Sequence, residues 1–404
     1  MKAGDNPEID SSAGSEDGST GAPTSSDGTT AATASPPGCG DGVVADDEAC
    51  DDANADPDDG CDATCTRTGV LAWTYTEQGA LTDVTVDAAG NIYLVGGADS
   101  DLVLSLDAAG QERWRTTLPD EPVLTSIAIA AVNDADALFV AGARGDMFKL
   151  APTGEPQWHI TYLEEVTNFG FVALAVGADA LYSFGSQGTF QNSTGLIQSF
   201  DYGIGDGEGD WGNSTPLDFP LIPQAIAVAD AGVIAVGFGA YKPEDPVRPF
   251  EGVINADGEW QSSTILDEPG RAWTSIAPTS DGGVVLAGFG PAADIVVRRL
   301  DANLEPQWTS YEENTLGTRA LAVAGGPAGA LAVAGTDLEL PGAFVRRLAP
   351  DGEPLWTSVF SADADNYSNE AVALAFGPDF IVAIGNESSA EQPPRFWVRK
   401  FAID

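Results

Sequence analysis

Basic residues are scarce in this chain. Of its 404 residues, 17 are Lys or Arg and 62 are Asp or Glu, a formal charge of −45. Phosphate backbones and anionic lipid surfaces attract the opposite sign, so nucleic acid is excluded as a partner and a membrane surface is disfavoured. Cations, calcium above all, are the natural counterparts of such acidity. A solubility adaptation to salty surroundings explains it equally well. Histidine is nearly missing too: His159 stands alone, directly after a tryptophan. That leaves no material for a His-rich metal site and little for a histidine-based triad. No run approaches the roughly 18 apolar residues of a membrane-spanning helix. The opening "MKAGDNPEID" has no apolar core of the signal-peptide kind. Residues 1–38 consist mostly of Ser, Thr, Gly, Ala, Pro and Asp, with almost nothing to bury. They are expected to form a disordered tether, of the sort left when an export signal is removed, with a lipid anchor lying upstream of the chain.

Cysteine is absent beyond residue 65. All four, Cys39, Cys50, Cys61 and Cys65, lie in "CGDGVVADDEACDDANADPDDGCDATC". An even, clustered set in a Gly/Asp-rich segment reads as a module with two disulfides, which implies an oxidising compartment. Zinc fits poorly, because the spacing is wide and no His is near. Three pairings are open, and the sequence does not choose among them. The same stretch carries the oxygen-bearing residues Asp51, Asp52, Asn54, Asp56, Asp58 and Asp59. Alternating carboxylates on a tight loop suit calcium, which takes six to eight oxygens. The EF-hand pattern fails, with Pro57 at the loop glycine and Ala63 at the closing glutamate. Solvated turn residues are the competing explanation.

The Cys39–Cys65 segment resembles the myxobacterial cysteine-rich repeat of exported proteins and lipoproteins. The motif appears as Cys39-Gly40-Asp41-Gly42, Glu48-Ala49-Cys50-Asp51-Asp52-Ala53-Asn54 and Asp59-Gly60-Cys61 through Cys65. Ala53 departs from it, standing where the family usually has Gly, which speaks against a left-handed turn there. The resemblance implies a secreted or cell-surface protein and no catalytic activity.

Tryptophan is plentiful and periodic. Trp73, Trp114, Trp158, Trp211, Trp260, Trp308 and Trp356 recur at intervals of 41 to 53 residues. Periods of this length mark propeller blades. Each unit reads as a small-apolar strand ("ALAVAG", 320–325), a turn, a Gly-terminated strand ("GVVLAGFG", 283–290), a variable loop, a third strand ("IVVRRLD", 295–301), a short turn and the Trp strand. Four strands per unit and no helical run predict an all-β, seven-bladed β-propeller over residues 70–404. With strands lettered A to D outward from the axis, "VLAWTYT" (70–76) is a D strand without its C. "RFWVRKF" (395–401) is a C strand without its D. Their pairing completes blade seven and leaves no open edge at the seam. The seven tryptophans are expected to be structural wedges buried between blades, each removing about 150–250 Å² from water.

These units resemble the bacterial β-propeller repeats of exported proteins. Blade one shows the pattern in Asp87, Gly90, Asn91, Tyr93, Gly96, Asp107, Gly110 and Trp114. The Trp strand is also similar to that of pyrroloquinoline-quinone-type propellers, without the adjacent Cys pair common in those dehydrogenases.

The A–B and C–D turns share one face and are short. The B–C and D–A loops share the other and are variable, so binding is expected there. Tyr241, Trp273 and Tyr367 are the candidate contact aromatics. Asp206, Glu208 and Asp210 alternate in a turn that either binds a cation or is simply solvated. Arg298–Arg299, Arg346–Arg347 and Arg399–Lys400 recur on strand C. One member of each pair is expected to meet an acid between blades. The resulting expectation is an exported, tethered, monomeric propeller that binds an extracellular protein or glycan. The alternative is a carboxylate-dependent hydrolase or lyase acting on polysaccharide.

Overall fold

The computed structural model describes residues 39–45, 48–97, 101–119, 123–132, 135–161, 169–188, 193–202, 211–215, 220–240, 245–291, 295–312, 318–337, 342–361, 368–389 and 393–403. The tether (1–38), Tyr241, Tyr367 and the Asp206–Glu208–Asp210 run lie outside them.

Among the described residues, 28 strands form seven four-stranded antiparallel sheets. Six blades are continuous in sequence. The seventh joins Leu71–Gln78 to Arg395–Ala402, with Tyr75 opposite Val398 and Thr76 opposite Trp397. The first strand of the propeller therefore closes the ring against the last. The seven A strands are Ala80–Val86, Leu124–Val132, Phe169–Val176, Leu221–Ala229, Ala272–Pro278, Arg319–Gly325 and Ser368–Phe376. They are built from Ala, Val, Leu and Ile because both faces pack against neighbouring blades. Ala277, Val285 and Val297 of blade five, for example, share one core cluster with Ala320, Val323 and Leu331 of blade six.

The D-strand tryptophans bridge consecutive blades through one recurring arrangement. The indole Nε1 of Trp73 donates to Ala108 O at 3.1 Å, that of Trp114 to Pro152 O at 2.9 Å, and that of Trp308 to Pro350 O at 2.9 Å. Each acceptor lies in the C–D turn of the next blade. The glycine of that turn faces the same indole. A Cβ on Gly110, Gly154 or Gly352 would come within 2.8, 2.5 or 3.1 Å of the rings of Trp73, Trp114 and Trp308. These glycines also hold φ of +80°, +85° and +92°. The recurrence of Gly before Trp thus has a packing cause: each glycine clears space for the tryptophan of the preceding blade. Full burial is not reached, however. Of the six whose side chains are described (that of Trp211 is not), Trp356 is buried (7% exposed), whereas Trp73, Trp114, Trp158, Trp260 and Trp308 are half-buried. The indole rims lie at the outer circumference of the ring, where no further strand covers them.

The cysteine module is pinned by disulfides Cys39–Cys65 and Cys50–Cys61. Asp51 organises it. Its Oδ2 accepts the backbone N–H groups of Gly40 and Asp41, and its Oδ1 those of Gly42 and Ala53. Four such bonds hold the carboxyl below its ordinary value, the bond from Ala53 contributing most. Ala53 does adopt the left-handed conformation, with φ of +69°. The expectation against a left-handed turn is corrected: the Asp51 bond holds the alanine where glycine would be at ease. The module is not a separate bead. Leu71 N donates to Asp58 O (2.7 Å) and Thr357 N to Arg67 O (3.2 Å).

The paired cations behave differently from blade to blade. Arg298 meets Glu251 (3.5 Å) and Glu268 (3.1 Å), and Arg299 meets Asp281 (2.7 Å). Arg347 donates to Leu348 O (2.7 Å), and Arg399 lies 3.8 Å above the ring of Phe360. Lys400 donates to Ala108 O (2.8 Å). Arg347, Arg399 and Lys400 thus meet carbonyls and aromatic faces, and Arg399 also feels the charges of Asp58 and Glu387.

Candidate functional site: the axial channel and the loop face

The A strands enclose an axial channel of about 480 Å³. Every A strand carries a one-residue bulge at the equivalent position, near its loop-face end. The bulged residues are Thr82, Thr125, Val172, Gln224, Thr274, Leu321 and Val372. A bulge breaks the ladder locally and frees backbone groups, which must find other partners. Side chains supply them across blades. Thr125 Oγ1 donates to Ala141 O (3.2 Å) and to Phe171 O of the next blade (3.0 Å). Thr274 Oγ1 does the same with Ala287 O (3.1 Å) and Ala320 O (2.9 Å). The residue after the bulge reaches the following blade as well. Ser126 Oγ accepts Leu174 N (3.2 Å), and Ser275 Oγ accepts Val323 N (3.1 Å).

In blade one that position is Asp83. Its Oδ2 accepts Ile127 N (2.9 Å) and the Ser126 hydroxyl (2.8 Å), and its Oδ1 accepts Val84 N (2.8 Å). Burial pushes this carboxyl up to about 6, outweighing the three hydrogen bonds that favour its charged form.

On the loop face, Trp273 is not a contact residue. It lies within the A strand of blade five, 2% exposed, with Nε1 donating to Glu251 Oε1 at 2.9 Å. The sequence suggests a loop over 266–273, but the strand already begins at Ala272 and carries the indole inward. It anchors a network between blades four and five. The Arg298 guanidinium lies 5.0 Å from the Trp273 ring and contacts both Glu251 and Glu268. Arg271 donates to Glu268 Oε2 (2.8 Å) and to the Tyr311 hydroxyl (3.2 Å), lying 4.6 Å from the Tyr311 ring centre. The two glutamates are polarised in opposite directions. Burial raises Glu251 despite Arg298 and Trp273. Burial would raise Glu268 too, but its bonds from Arg271 and Arg298 prevail and hold it low. Tyr311 is 47% exposed. Sequence reading passed over it because it sits in a Trp strand, and no local signal separates it from packing residues.

His159 stacks on Phe148 at 4.0 Å, with Nε2 3.1 Å from Asp146 Oδ1. Thr161 Oγ1 lies 3.2 Å from the same nitrogen and donates to the same oxygen at 2.8 Å. A relay needs the two partners on opposite ring nitrogens, so this trio is not a catalytic triad.

In the cysteine module, the acidic run is largely turned on itself. Asn54 Oδ1 accepts Asp56 N (2.6 Å), Asp56 Oδ1 accepts Asp58 N (3.1 Å), and Asn54 Nδ2 donates to Asp59 Oδ2 (2.8 Å). Asp51 is fully engaged. Glu48 and Asp51 also lie near the sulfur of Cys65, but that sulfur is in a disulfide and is not a thiolate ligand. Asp52 and Asp59 are the facing carboxylates of the run: burial and then Asp59 raise Asp52.

Residues 34–66 match the family described as domain of unknown function DUF4215. Residues 98–242 match the family described as outer membrane protein assembly factor BamB. No curated protein matches the chain. Among solved structures, the chain is similar to BamB from Moraxella catarrhalis, with 16% identity over 80% of this chain and 85% of that one, at a TM-score of 0.42. It is also similar to the WD40 β-propeller domain of Doa1, with 11% identity over 83% of this chain and 97% of that one, at a TM-score of 0.53. At that identity the likeness to the Doa1 domain establishes the propeller fold alone.

Proposed function

We propose that this is an exported, surface-tethered interaction protein that binds an extracellular protein or glycan on its loop face. The observation that carries the reading is Tyr311: a half-exposed aromatic, held by Arg271 at the end of a fixed ion-pair network. An aromatic pre-positioned in this way contributes contact area at little entropic cost. The two disulfides support an oxidising location. The partial match to a family described as an outer membrane protein assembly factor supports an interaction role. Arrays of glycans and of extracellular proteins, probed with wild type and with Tyr311→Ala, test the proposal. At least one ligand should lose tenfold or more of its signal in the variant. Ligands that bind both proteins equally would place the site elsewhere.

A second reading rests on the opposed shifts of Glu251 and Glu268. A raised carboxyl beside one held low is the kind of pair that glycoside cleavage uses. Release of reducing ends from polysaccharide, abolished by Glu251→Gln and by Glu268→Gln, would establish it. Absence of release from a panel of neutral and acidic polysaccharides would remove it.

A further inference from the structure

Asp83 is the sole ionisable side chain among the described residues lining the axial channel. The fold does not require a charge there. Ser126 and Ser275, the equivalent residues of blades two and five, meet the neighbouring blade's N–H with a hydroxyl. Ala173, Ala225, Ala322 and Ala373 occupy the position in the other four blades. A carboxylate in this place is costly to ionise, as its raised titration shows. Retaining a charge where a hydroxyl suffices points to a ligand.

The other polar groups of the channel define what that ligand offers. The hydroxyl protons of Thr82, Thr125 and Thr274 are already given to backbone carbonyls. Gln224 gives its amide N–H to Pro223 O (2.8 Å). What remains on these side chains is mostly acceptor capacity, on the three hydroxyl oxygens and the amide oxygen, with a second N–H on Gln224 and one carboxylate. The group that complements a carboxylate among such acceptors is a positively charged donor, which is an ammonium. Towards the turn face the channel wall is apolar apart from Thr85, with Ala128, Ile129, Ala175, Val176, Ala277 and Ala324, a surface suited to methylenes. The volume lies within the range of small-ligand sites.

We propose that the axial channel binds a protonated primary alkylamine, with Asp83 as its counter-charge and the bulge side chains as acceptors. The amine comes either as a free diamine or polyamine or as the side chain of a lysine in a polypeptide. This site is separate from the Tyr311 surface, and either can exist without the other.

Calorimetric titration with cadaverine and with N-acetyl-lysine methylamide tests it, with 1-pentanol as the neutral control. Wild type should bind at least one amine at pH 7.5 and should not bind the alcohol. Asp83→Ser copies blades two and five, so it should fold, which a thermal melt checks; its affinity should fall at least tenfold. Lowering the pH to 5.0 should weaken wild-type binding about tenfold, because a carboxyl titrating near 6 is then mostly protonated. The other ionisable groups on the A strands, Arg319 and Glu370, stand at the loop-face ends of blades six and seven. Cadaverine binding alone identifies a free amine as the ligand, and lysine-amide binding alone identifies a polypeptide. Failure of both amines to bind, or equal binding by a folded Asp83→Ser, would overturn the proposal, and Tyr311→Ala would leave either result unchanged.

Discussion

Gly69 lies flat against the indole of Trp356, so close that a Cβ there would stand 2.8 Å from the ring. In blades one, two and six the glycine of a C–D turn covers the preceding tryptophan. Blade seven has no C–D turn, because its D strand comes from the other end of the propeller. The segment leading out of the cysteine module takes that place. Gly69 N donates to Ser358 Oγ (2.9 Å), and Ala402 N donates to Val70 O (3.0 Å). The ring is therefore closed by a strand and also by the residues just before it.

Gly69→Val should destabilise the propeller by about 1–3 kcal/mol, the usual cost of forcing volume into a packed contact. Deleting residues 1–66 leaves this contact in place and should yield a cooperative, soluble ring. Deleting through Thr76 removes the closing strand and exposes the edge around Trp397 and Phe401, which should aggregate or melt well below it. Thermal melts and size-exclusion profiles of the three proteins give the comparison. Equal melting of both truncations would show that strand 71–78 does not hold the seam.

Trp308→Ala should cost roughly 1.5–3 kcal/mol, less than the 3–5 typical of a fully buried aromatic, because its ring is half-buried. Trp356→Ala, at the buried position, should cost more. Urea denaturation gives both values, and the ranking is the informative part.

The cysteine module should contain two disulfides and no free thiol, as read by intact mass with and without alkylation. Reduction should leave the propeller folded, since no cysteine belongs to it. Ala53→Gly should stabilise the module by about 1 kcal/mol, by relieving the left-handed alanine. A scan of module unfolding under non-reducing conditions would detect it as an upward shift.

Asp83 titrates near 6 in the folded protein against 3.8 for an exposed aspartate. A raised carboxyl pKa means that the folded state favours the proton. The associated stability is complete below about pH 4 and is lost as pH rises through 6. The full effect is at most about 3 kcal/mol, and less for a side chain that keeps some contact with solvent. Comparing wild type with Asp83→Ser cancels the repulsion of the remaining acidic surface. Their stability difference should shift by about 1–2 kcal/mol in favour of the variant between pH 4.5 and 7.5, read from urea melts. A constant difference would show that the carboxyl is not raised.

The blade count, the strand order and the closure at 70–76 and 395–401 were legible in the sequence. Each rests on repetition: a tryptophan, a small-apolar strand and a Gly-terminated strand recur at blade length, and repeated packing demands repeated residues. The confinement of cysteine to residues 39–65 likewise made the disulfide module legible, though its pairing was decided by the fold. What repetition cannot show is the exception. Trp273 reads as a loop aromatic because it closes "EPGRAW", yet the strand begins at Ala272 and carries it into the core. Tyr311 reads as packing because it follows a blade tryptophan, yet it projects to solvent at the ring's edge. Asp83 is one aspartate among many in an acidic chain. Only the convergence of seven bulged strands on one axis brings it together with Ser126, Thr125, Thr274 and Gln224, residues separated by dozens of positions in sequence. Sequence periodicity records the contacts that each blade makes in the same way. The channel and the loop-face network depend on what one blade does differently, and that acquires meaning only once the blades are placed side by side.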